Sequence, residues 1–155
     1  MDTPLTTVEK AALLIDVDLF QEVPSDALAE LATLMDESSH EPGDVLHDPQ
    51  APDARLSVVV DGRVRLARAG AVVGEIGRGG AFGLLAALGV GDGETATAVQ
   101  ACRILSIASE DYVEALADST ALAVANLRAL ARRLHDRDFG VSGPGARHAG
   151  GDDTR

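Results

Sequence analysis

The segment that decides the fold spans residues 78–101 and reads RGGAFGLLAALGVGDGETATAVQA. Glycines form a turn before Phe82, a short apolar helix is expected to begin near Gly83, and a glycine-rich loop precedes a new strand. The first N–H groups of a helix have no partner within it and can hold an anion. Taken alone, a glycine turn before a helix is more often structural than ligand-binding, so the segment has to be interpreted with its surroundings.

Short apolar runs flank this segment on both sides. They recur between Glu41 and Ile107 and are separated by turns that contain glycine. The Asp61-Gly62 pair between two such runs predicts a β-hairpin, because both central residues of a tight hairpin turn need positive φ. Many short strands at close spacing, without alternating helices, favour a barrel or a jelly roll. The expected fold class is therefore mainly β, with flanking N-terminal and C-terminal helices.

Helical patterns precede and follow these strands. Thr6 and Glu9 are spaced as the capping box of a first helix. Ser109 is the expected N-cap of a later helix, and Asp118 or Ser119 that of the last and longest one. We expect one domain over residues 1–139, with helices over 7–36, β-strands over 41–107, C-terminal helices over 110–138, and a disordered tail over 140–155.

The charge is distributed unevenly along the 155 residues. Residues 1–53 carry 13 acidic side chains and one basic one, whereas residues 54–155 carry 12 of each, so the net charge of −12 lies in the first third. An acidic chain opposes general attraction to nucleic acid, which needs clustered Lys and Arg. With three Phe, one Tyr and no Trp, the chain also offers no platform for base stacking.

Other features of the composition exclude further classes. The single cysteine, Cys102, allows neither an internal disulfide nor a cysteine-based zinc site. No apolar run approaches the roughly 20 residues of a membrane span. The acidic N-terminus is unlike a secretion signal. A cytoplasmic protein with no membrane partner is therefore expected.

In its whole layout, over roughly residues 8–138, the chain resembles the cyclic-nucleotide-binding domain family, of the catabolite-activator type. The resemblance implies the family's fold, a double-stranded β-helix (jelly roll or β-roll), here over residues 41–107, plus N-terminal and C-terminal helices. The matching features are Asp18-Leu19-Phe20, Pro42-Gly43-Asp44, Gly62, Gly79, Phe82-Gly83, Ala96-Thr97 and the long final helix. The family's binding cassette reads Phe-Gly-Glu-x-Ala-x-Leu, a loop, and Pro-Arg-x-Ala-Thr or Ser. Its Glu binds the ribose hydroxyl, while its Arg and the helix-start amides bind the cyclic phosphate. The resemblance implies a ligand pocket at Phe82, Gly83, Leu84, Leu85, Ala86, Glu94, Thr95, Ala96 and Thr97.

The scaffold of this cassette matches, but its charged anchors do not. The position of the ribose-binding Glu is Leu84, and that of the phosphate-binding Arg is Glu94. The Pro position is Gly93, and Asp92 adds a further negative charge. The pocket is expected to keep its shape and its helix start while losing both anchors.

The free energies of the lost interactions predict how far the affinity for a cyclic nucleotide falls. Each missing hydrogen bond to a charged group forfeits about 1.5–3 kcal/mol, and a carboxylate near the phosphate adds a few kcal/mol of repulsion at an effective dielectric constant of about 20. A total of about 4–8 kcal/mol weakens affinity by about three to six orders of magnitude. We therefore expect no cofactor, and cAMP or cGMP only if Arg78 or Arg103 takes over the phosphate position.

Metal, catalytic and DNA-reading functions have little support in the sequence. His40 and His47 lie on either side of a Pro-Gly turn without a convincing third ligand, so no metal site is expected. No Gly-x-Ser-x-Gly elbow is present, and the only lysine is Lys10, so neither a serine hydrolase nor a Walker site is indicated, and we expect no catalytic residue and no enzyme. The residues after Asp138 show no helix-turn-helix pattern, so no DNA partner is expected.

Two functions remain open on the sequence. One is a non-enzymatic regulatory or protein-interaction module that has lost ordinary cAMP and cGMP binding. The alternative is a sensor that binds a cyclic nucleotide atypically, or another small molecule, in the β-roll pocket. A homodimer through the last helix, or another protein partner, is compatible with either. The candidate dimer seam, which would alternatively pack back on the β-roll, is Ala123, Leu127, Leu130 and Leu134.

Overall fold

Eight antiparallel strands form the body of the protein, whose computed structural model describes residues 3–50, 53–91 and 93–138, the side chains of 137 and 138 excepted. The strands are β1 (Asp36–His40), β2 (Val45–His47), β3 (Arg55–Asp61), β4 (Val64–Arg68), β5 (Ala71–Ile76), β6 (Ala81–Phe82), β7 (Glu94–Ala98) and β8 (Cys102–Ala108). The first sheet has the order β1-β8-β3-β6 and the second the order β2-β7-β4-β5. The predicted fold class is confirmed.

Helices flank the two sheets. They are α1 (Thr7–Ile15), a 3-10 turn (Asp18–Phe20), α2 (Ser25–Thr33), α3 (Leu84–Ala87), α4 (Ser109–Asp118) and α5 (Thr120–Asp138). The capping box is confirmed, since Thr6 Oγ1 accepts from the Glu9 amide and Glu9 Oε1 from the Thr6 amide, at 3.1 and 2.9 Å. Ser119 caps α5, its Oγ accepting from the Leu122 amide at 3.1 Å. The predicted Ser109 cap is wrong, because that hydroxyl donates instead to a carbonyl at the end of α3.

The first strand begins earlier than the sequence predicted. β1 spans Asp36–His40, whereas the predicted helices continued to residue 36 and the predicted roll began at 41. All five side chains of β1 are polar, so it lacks the apolar alternation that indicates a strand. It forms because β8 supplies an antiparallel partner, with Asp36 opposite Ser106 and His40 opposite Cys102.

The Asp61-Gly62 pair does not form the predicted hairpin. β3 and β4 belong to different sheets, so the chain passes from one sheet to the other at this turn. Gly62 has a φ of +100°, and a Cβ there would lie 2.5 Å from the Ala101 carbonyl oxygen, which only glycine avoids. The tight hairpin joins β4 to β5 through Ala69 and Gly70, whose φ values of 53° and 83° are both positive.

Strand β3 shows how the core divides into two layers. Leu56, Val58 and Val60 face the helices, while Val59 faces the second sheet. The first sheet is therefore buried on both faces. This explains why β3 reads as a nearly continuous apolar run.

A buried polar contact fixes α5 over the 3-10 turn. The Tyr112 hydroxyl in α4 donates to Asn126 Oδ1 in α5, and the Asn126 amide nitrogen donates to the Leu19 carbonyl oxygen at 3.4 Å. Burial raises the pKa of the Tyr112 hydroxyl well above its usual range, and the Asn126 hydrogen bond opposes that shift. The hydroxyl therefore stays protonated and continues to hold α5.

Helix α5 turns one face to the core and another to solvent. The core face consists of Leu122, Ala125, Asn126 and Ala129. Of the predicted seam, Ala123 is half-buried and Leu130 packs against the core, but Leu127 and Leu134 are 65% and 58% exposed. Of the two alternatives left open for this seam, packing back on the β-roll does not hold for Leu127 and Leu134.

Ion pairs connect the acidic first third of the chain to arginines far along the sequence. The most widely separated pairs are Arg103 with Glu37 (3.0 Å), Arg128 with Glu22 (2.6 Å) and Arg133 with Asp18 (3.2 Å). Their partners lie 66, 106 and 115 residues apart. The Arg128 and Arg133 pairs tie the N-terminal helical region to α5, and the Arg103 pair joins β1 to β8.

Two further predictions concern a membrane span and the C-terminal tail. In the part of the chain that the structure describes, no helix has the length and apolar character needed to cross a bilayer. The tail predicted for residues 140–155 lies outside the described residues.

Candidate functional site

Gly83 fixes the turn on which the candidate pocket is built. Its φ is +85°, and a Cβ at this position would lie 2.3 Å from the Arg55 carbonyl oxygen. Glycine is therefore required both by the left-handed backbone and by the close approach of β3. The turn places Phe82 in the core between the sheets and starts α3 directly afterwards.

Helix α3 is a single turn whose first two side chains differ in their surroundings. Leu84, at the position where the resemblance places a ribose-binding Glu, is 5% exposed and belongs to the core cluster beneath the helices. Leu85 is exposed and lines the pocket. An apolar wall thus stands where the family pattern has a carboxylate.

Strand β7 carries Glu94, at the position of the family's phosphate-binding Arg. Alternation along β7 puts Glu94 on the same face as Ala96, which is buried between the sheets. Glu94 pairs in register with Arg68 of β4, and Arg68 Nη2 lies 3.2 Å from Glu94 Oε2. The Glu94 side chain is 14% exposed and that of Arg68 54%. Glu94 and Arg68 therefore form an ion pair at the wall of the pocket.

The pocket has a volume of about 230 Å³. Its lining is Leu19, Leu66, Arg68, Ala81, Phe82, Gly83, Leu84, Leu85, Glu94 and Arg133. Arg133 reaches it from α5, with its Nη2 3.2 and 3.3 Å from the two carboxylate oxygens of Asp18. Both arginines at the pocket are thus engaged by carboxylates.

The structure brings together part of the predicted pocket. Phe82, Gly83, Leu84, Leu85 and Glu94 line it. Of the other predicted residues, Ala86 lines a neighbouring surface cavity, Ala96 is buried between the sheets, and Thr95 and Thr97 are half-buried on β7.

The two arginines named as substitutes for the missing phosphate anchor lie elsewhere. Arg78 donates to the Val60 carbonyl oxygen at 3.0 Å, and Arg103 pairs with Glu37 and Asp61. Both line a different cavity, between α1 and β3. Neither reaches the cassette.

Arg68 and Arg133 were missed as pocket residues in the sequence. Side chains along β4 alternate between its two faces, so Arg68, two residues after Leu66, lies on the same inward face as Leu66. This alternation would have indicated Arg68. No local pattern indicates Arg133. It belongs to a group of arginines near the end of the last helix, and only the docking of α5 on the 3-10 turn brings it to the pocket.

The histidines do not form a metal centre within the described ranges. There, no group of three or more His, Cys, Asp or Glu side chains is placed to hold a metal ion. His40 Nε2 lies 2.8 Å from Ser38 Oγ, and its Nδ1 lies 4.0 Å from Asp44 Oδ2. His47 lies on β2, beside a surface cavity.

Comparison with solved structures finds the same fold in regulatory proteins. The N-terminal domain of a transcriptional regulator from Streptomyces coelicolor A3(2) is 29% identical, with a TM-score of 0.69 over 84% of this chain and 94% of that one. The catabolite activator protein of Thermus thermophilus is 24% identical, with a TM-score of 0.70 over 80% of this chain and 61% of that one. The sensor domain of the transcriptional regulator DNR from Pseudomonas aeruginosa is 21% identical, with a TM-score of 0.72 over 89% and 97%. The likeness to the last two concerns the fold alone.

Sequence comparison gives the family. A search of curated proteins found no significant match. The family model described as "Cyclic nucleotide-binding domain" matches residues 37–123, which is more than half of the chain. These residues run from β1 through the cassette into the first turn of α5. The resemblance seen in the sequence is thus confirmed, and the chain belongs to the cyclic nucleotide-binding domain family.

Proposed function

We propose that this domain is a non-enzymatic regulatory module that has lost ordinary binding of cAMP and cGMP and acts through protein contacts. The observation that carries the proposal is the ion pair between Glu94 and Arg68 on the inner wall of the cassette pocket, 3.2 Å long. It stands where the family places an arginine for the cyclic phosphate.

The electrostatics of this pair disfavour an anionic ligand. Two unit charges about 4 Å apart attract by about 4 kcal/mol at an effective dielectric constant of about 20. A phosphate that approached Arg68 would compete with Glu94 for the guanidinium and be repelled by the same carboxylate. Arg68 therefore offsets the charge of Glu94 without restoring an anion site.

The ribose side of the pocket supports the same conclusion. Leu84 is in the core and can accept no hydrogen bond from a ribose hydroxyl. Replacing it by Glu would bury a carboxylate among apolar side chains, which costs several kcal/mol unless the group takes up a proton. Nucleotide binding is therefore tested by substituting Glu94 and not by substituting Leu84.

Calorimetric titration with cAMP and cGMP tests the proposal. We expect no saturable heat below millimolar nucleotide for the natural chain, and a dissociation constant at least about tenfold lower for Glu94→Arg, which supplies the missing cation. Glu75→Arg is the matched control, since Glu75 is also paired with arginines but lies on β5 outside the pocket. Saturation of the natural chain at micromolar nucleotide would overturn the proposal.

A second candidate, a sensor for an atypically bound nucleotide or another ligand in the same pocket, has one specific support. Arg68 and Arg133 both line the pocket and could turn toward a ligand if their carboxylates released them. The same titration separates the two functions. A natural chain that saturates, and that loses binding in Arg68→Ala and Arg133→Ala, favours the sensor.

The protein contact that we propose is self-association through α5. Its support is the pair of large apolar side chains, Leu127 and Leu134, that face solvent seven residues apart on one helix face. Leu127→Asp should halve the mass measured by light scattering, and Val8→Asp, at an exposed position of α1, should leave it unchanged. A natural chain of monomer mass would overturn self-association through this face.

The remaining parts of the proposal concern regulation and location. A regulatory role is supported by the Streptomyces relative, which is a domain of a transcriptional regulator. We expect a cytoplasmic location, consistent with the single cysteine, Cys102, buried and free in the structure.

A further inference from the structure

A second cavity opens at one end of the space between the two sheets. It has a volume of about 380 Å³, within the range of small-molecule sites. Seven of its nine lining residues are polar: Asp36, Ser38, His40, Leu46, Asp53, Arg55, Ser57, Ile104 and Ser106. It shares no residue with the cassette pocket, so a ligand bound in it does not depend on the proposed loss of nucleotide binding.

Ser57 is the residue that points to a ligand. It is 6% exposed and lies on the face of β3 that is turned to the second sheet, as Val59 does. Its hydroxyl makes no hydrogen bond to any described residue. Among the described residues, every side-chain nitrogen or oxygen that is buried away from solvent has a hydrogen-bond partner. The Ser57 oxygen is therefore open to the cavity. Its capacity to donate and accept is unused.

Arg55 and its partners set the charge of the cavity. Its Nε donates to Ser106 Oγ at 2.9 Å, and its Nη2 donates to Asp36 Oδ2 at 3.0 Å. Its Nη1 lies 3.8 Å from Asp53 Oδ2. One guanidinium thus faces two carboxylates. The excess of one negative charge repels anions. Both carboxylates are already paired with the guanidinium, which weakens their attraction for a cation.

Strand β1, in the same sheet as β3, carries groups that both donate and accept. Ser38 Oγ and His40 Nε2 lie 2.8 Å apart on β1, and both side chains are half-buried. A hydroxyl and an imidazole side by side suit a ligand whose own groups also donate and accept. Hydroxyl groups have this property, and carboxylates or phosphates do not.

We infer that this inter-sheet cavity binds a small neutral molecule that carries several hydroxyl groups, such as a polyol or a monosaccharide. Ser57 and Ser38 with His40 contact its hydroxyls, and Leu46 and Ile104 contact its carbon skeleton. The cavity is a binding site and carries no reaction.

Titration of the isotopically labelled full chain, followed by backbone amide shifts, tests the inference. The probes are sorbitol and glucose as neutral polyols, inorganic phosphate as an anion and putrescine as a cation. We expect at least one neutral probe to shift the amides of Ser57, Ser106 and His40 saturably, with an affinity at least about tenfold above those of the charged probes. Absence of saturation with both neutral probes, or tighter binding of phosphate or putrescine, would overturn the inference.

Variants locate the site. Ser57→Val fills the cavity and removes the hydroxyl, so it should weaken binding at least about tenfold, and Ser57→Ala should weaken it without added volume. Ser39→Val is the control, because Ser39 is exposed on the other face of β1. If Ser57→Val does not fold, Ser57→Ala and Ser38→Ala decide. Unchanged affinity in both would contradict the assignment of the site.

Discussion

The cassette pocket and the inter-sheet cavity differ in whether their polar groups already have partners within the protein. In the cassette pocket the charged groups are already paired with one another, Arg68 with Glu94 and Arg133 with Asp18. In the inter-sheet cavity the hydroxyl of Ser57 has no partner among the described residues. The charged groups of the pocket that the family pattern emphasises are already paired. The unpartnered hydroxyl lies in a cavity to which the family pattern does not point.

One residue of β3 connects the two cavities. The carbonyl oxygen of Arg55 limits the space at Gly83, while its side chain lines the inter-sheet cavity. Changes at this shared wall should therefore affect both cavities, and changes at residues that belong to one cavity alone should separate them.

Gly83→Ala is expected to have the largest effect, because it disturbs the shared wall. The left-handed backbone costs about 1–2 kcal/mol for alanine, and the contact with the Arg55 carbonyl oxygen adds about 1–3 kcal/mol. Gly70→Ala is the control, since Gly70 has a similar φ of +83° with nothing within 4 Å of an added Cβ. Urea unfolding should show the larger loss of stability for Gly83→Ala. Equal losses of stability would mean that the Arg55 carbonyl group moves away from the added Cβ at little cost in free energy.

Tyr112→Phe should weaken only the cassette side, because Tyr112 holds the helix that carries Arg133. Loss of the hydrogen bond to Asn126 should cost about 1–3 kcal/mol, since a buried amide oxygen is left without its donor. Urea unfolding measures this loss. Amide shifts should change around Arg133 and not around Ser57, and a change at both would show that the two cavities are coupled through the core.

The raised pKa of Tyr112 gives this contact a pH signature. A pKa raised in the folded state stabilises the fold fully below the ordinary tyrosine pKa of about 10, and this stabilisation is lost as the pH rises further. Because Tyr112 is the only tyrosine, its absorbance at 295 nm reports this directly. Ionisation should coincide with alkaline unfolding followed by circular dichroism. Ionisation near pH 10 in a chain that is still folded would show that the hydroxyl is not buried.

Ser106→Ala and Ser57→Ala should have the smallest effects and should differ from each other. Ser106→Ala removes the hydroxyl that accepts from Arg55 Nε and should cost about 1 kcal/mol, whereas Ser57→Ala removes a hydroxyl with no partner and should cost about 0–0.5 kcal/mol. Urea unfolding of the two variants measures the difference. A greater loss for Ser57→Ala would show that its hydroxyl is already engaged within the protein.

Features of the fold could be predicted from the sequence where they depend on residues that are close together along the chain. The capping box at Thr6 and the glycine turn at Gly83 arise from contacts within a few residues or from a backbone angle, and both are present. β1 was missed because its pairing with β8 is non-local, and the Asp61-Gly62 hairpin was wrong because a positive φ does not say which sheet the next strand joins. Arg68 could have been found from alternation. Arg133 could not, because a helix reveals its neighbours only once it is docked.

The segregation of charge along the chain orders the assembly of the protein in time. Residues 1–53 carry 13 acidic side chains and a single basic one, and self-repulsion opposes the compact state of such a segment. Arg55 follows soon after and pairs with Asp36 and Asp53, but the arginine partners of Asp18, Glu22 and Glu37 are made only later, in β8 and α5, as is the buried face of β8 that the N-terminal helices cover. The N-terminal helices thus complete their docking only after α5 has been synthesised, and a chain truncated before α5 would leave Asp18 and Glu22 without their counter-charges.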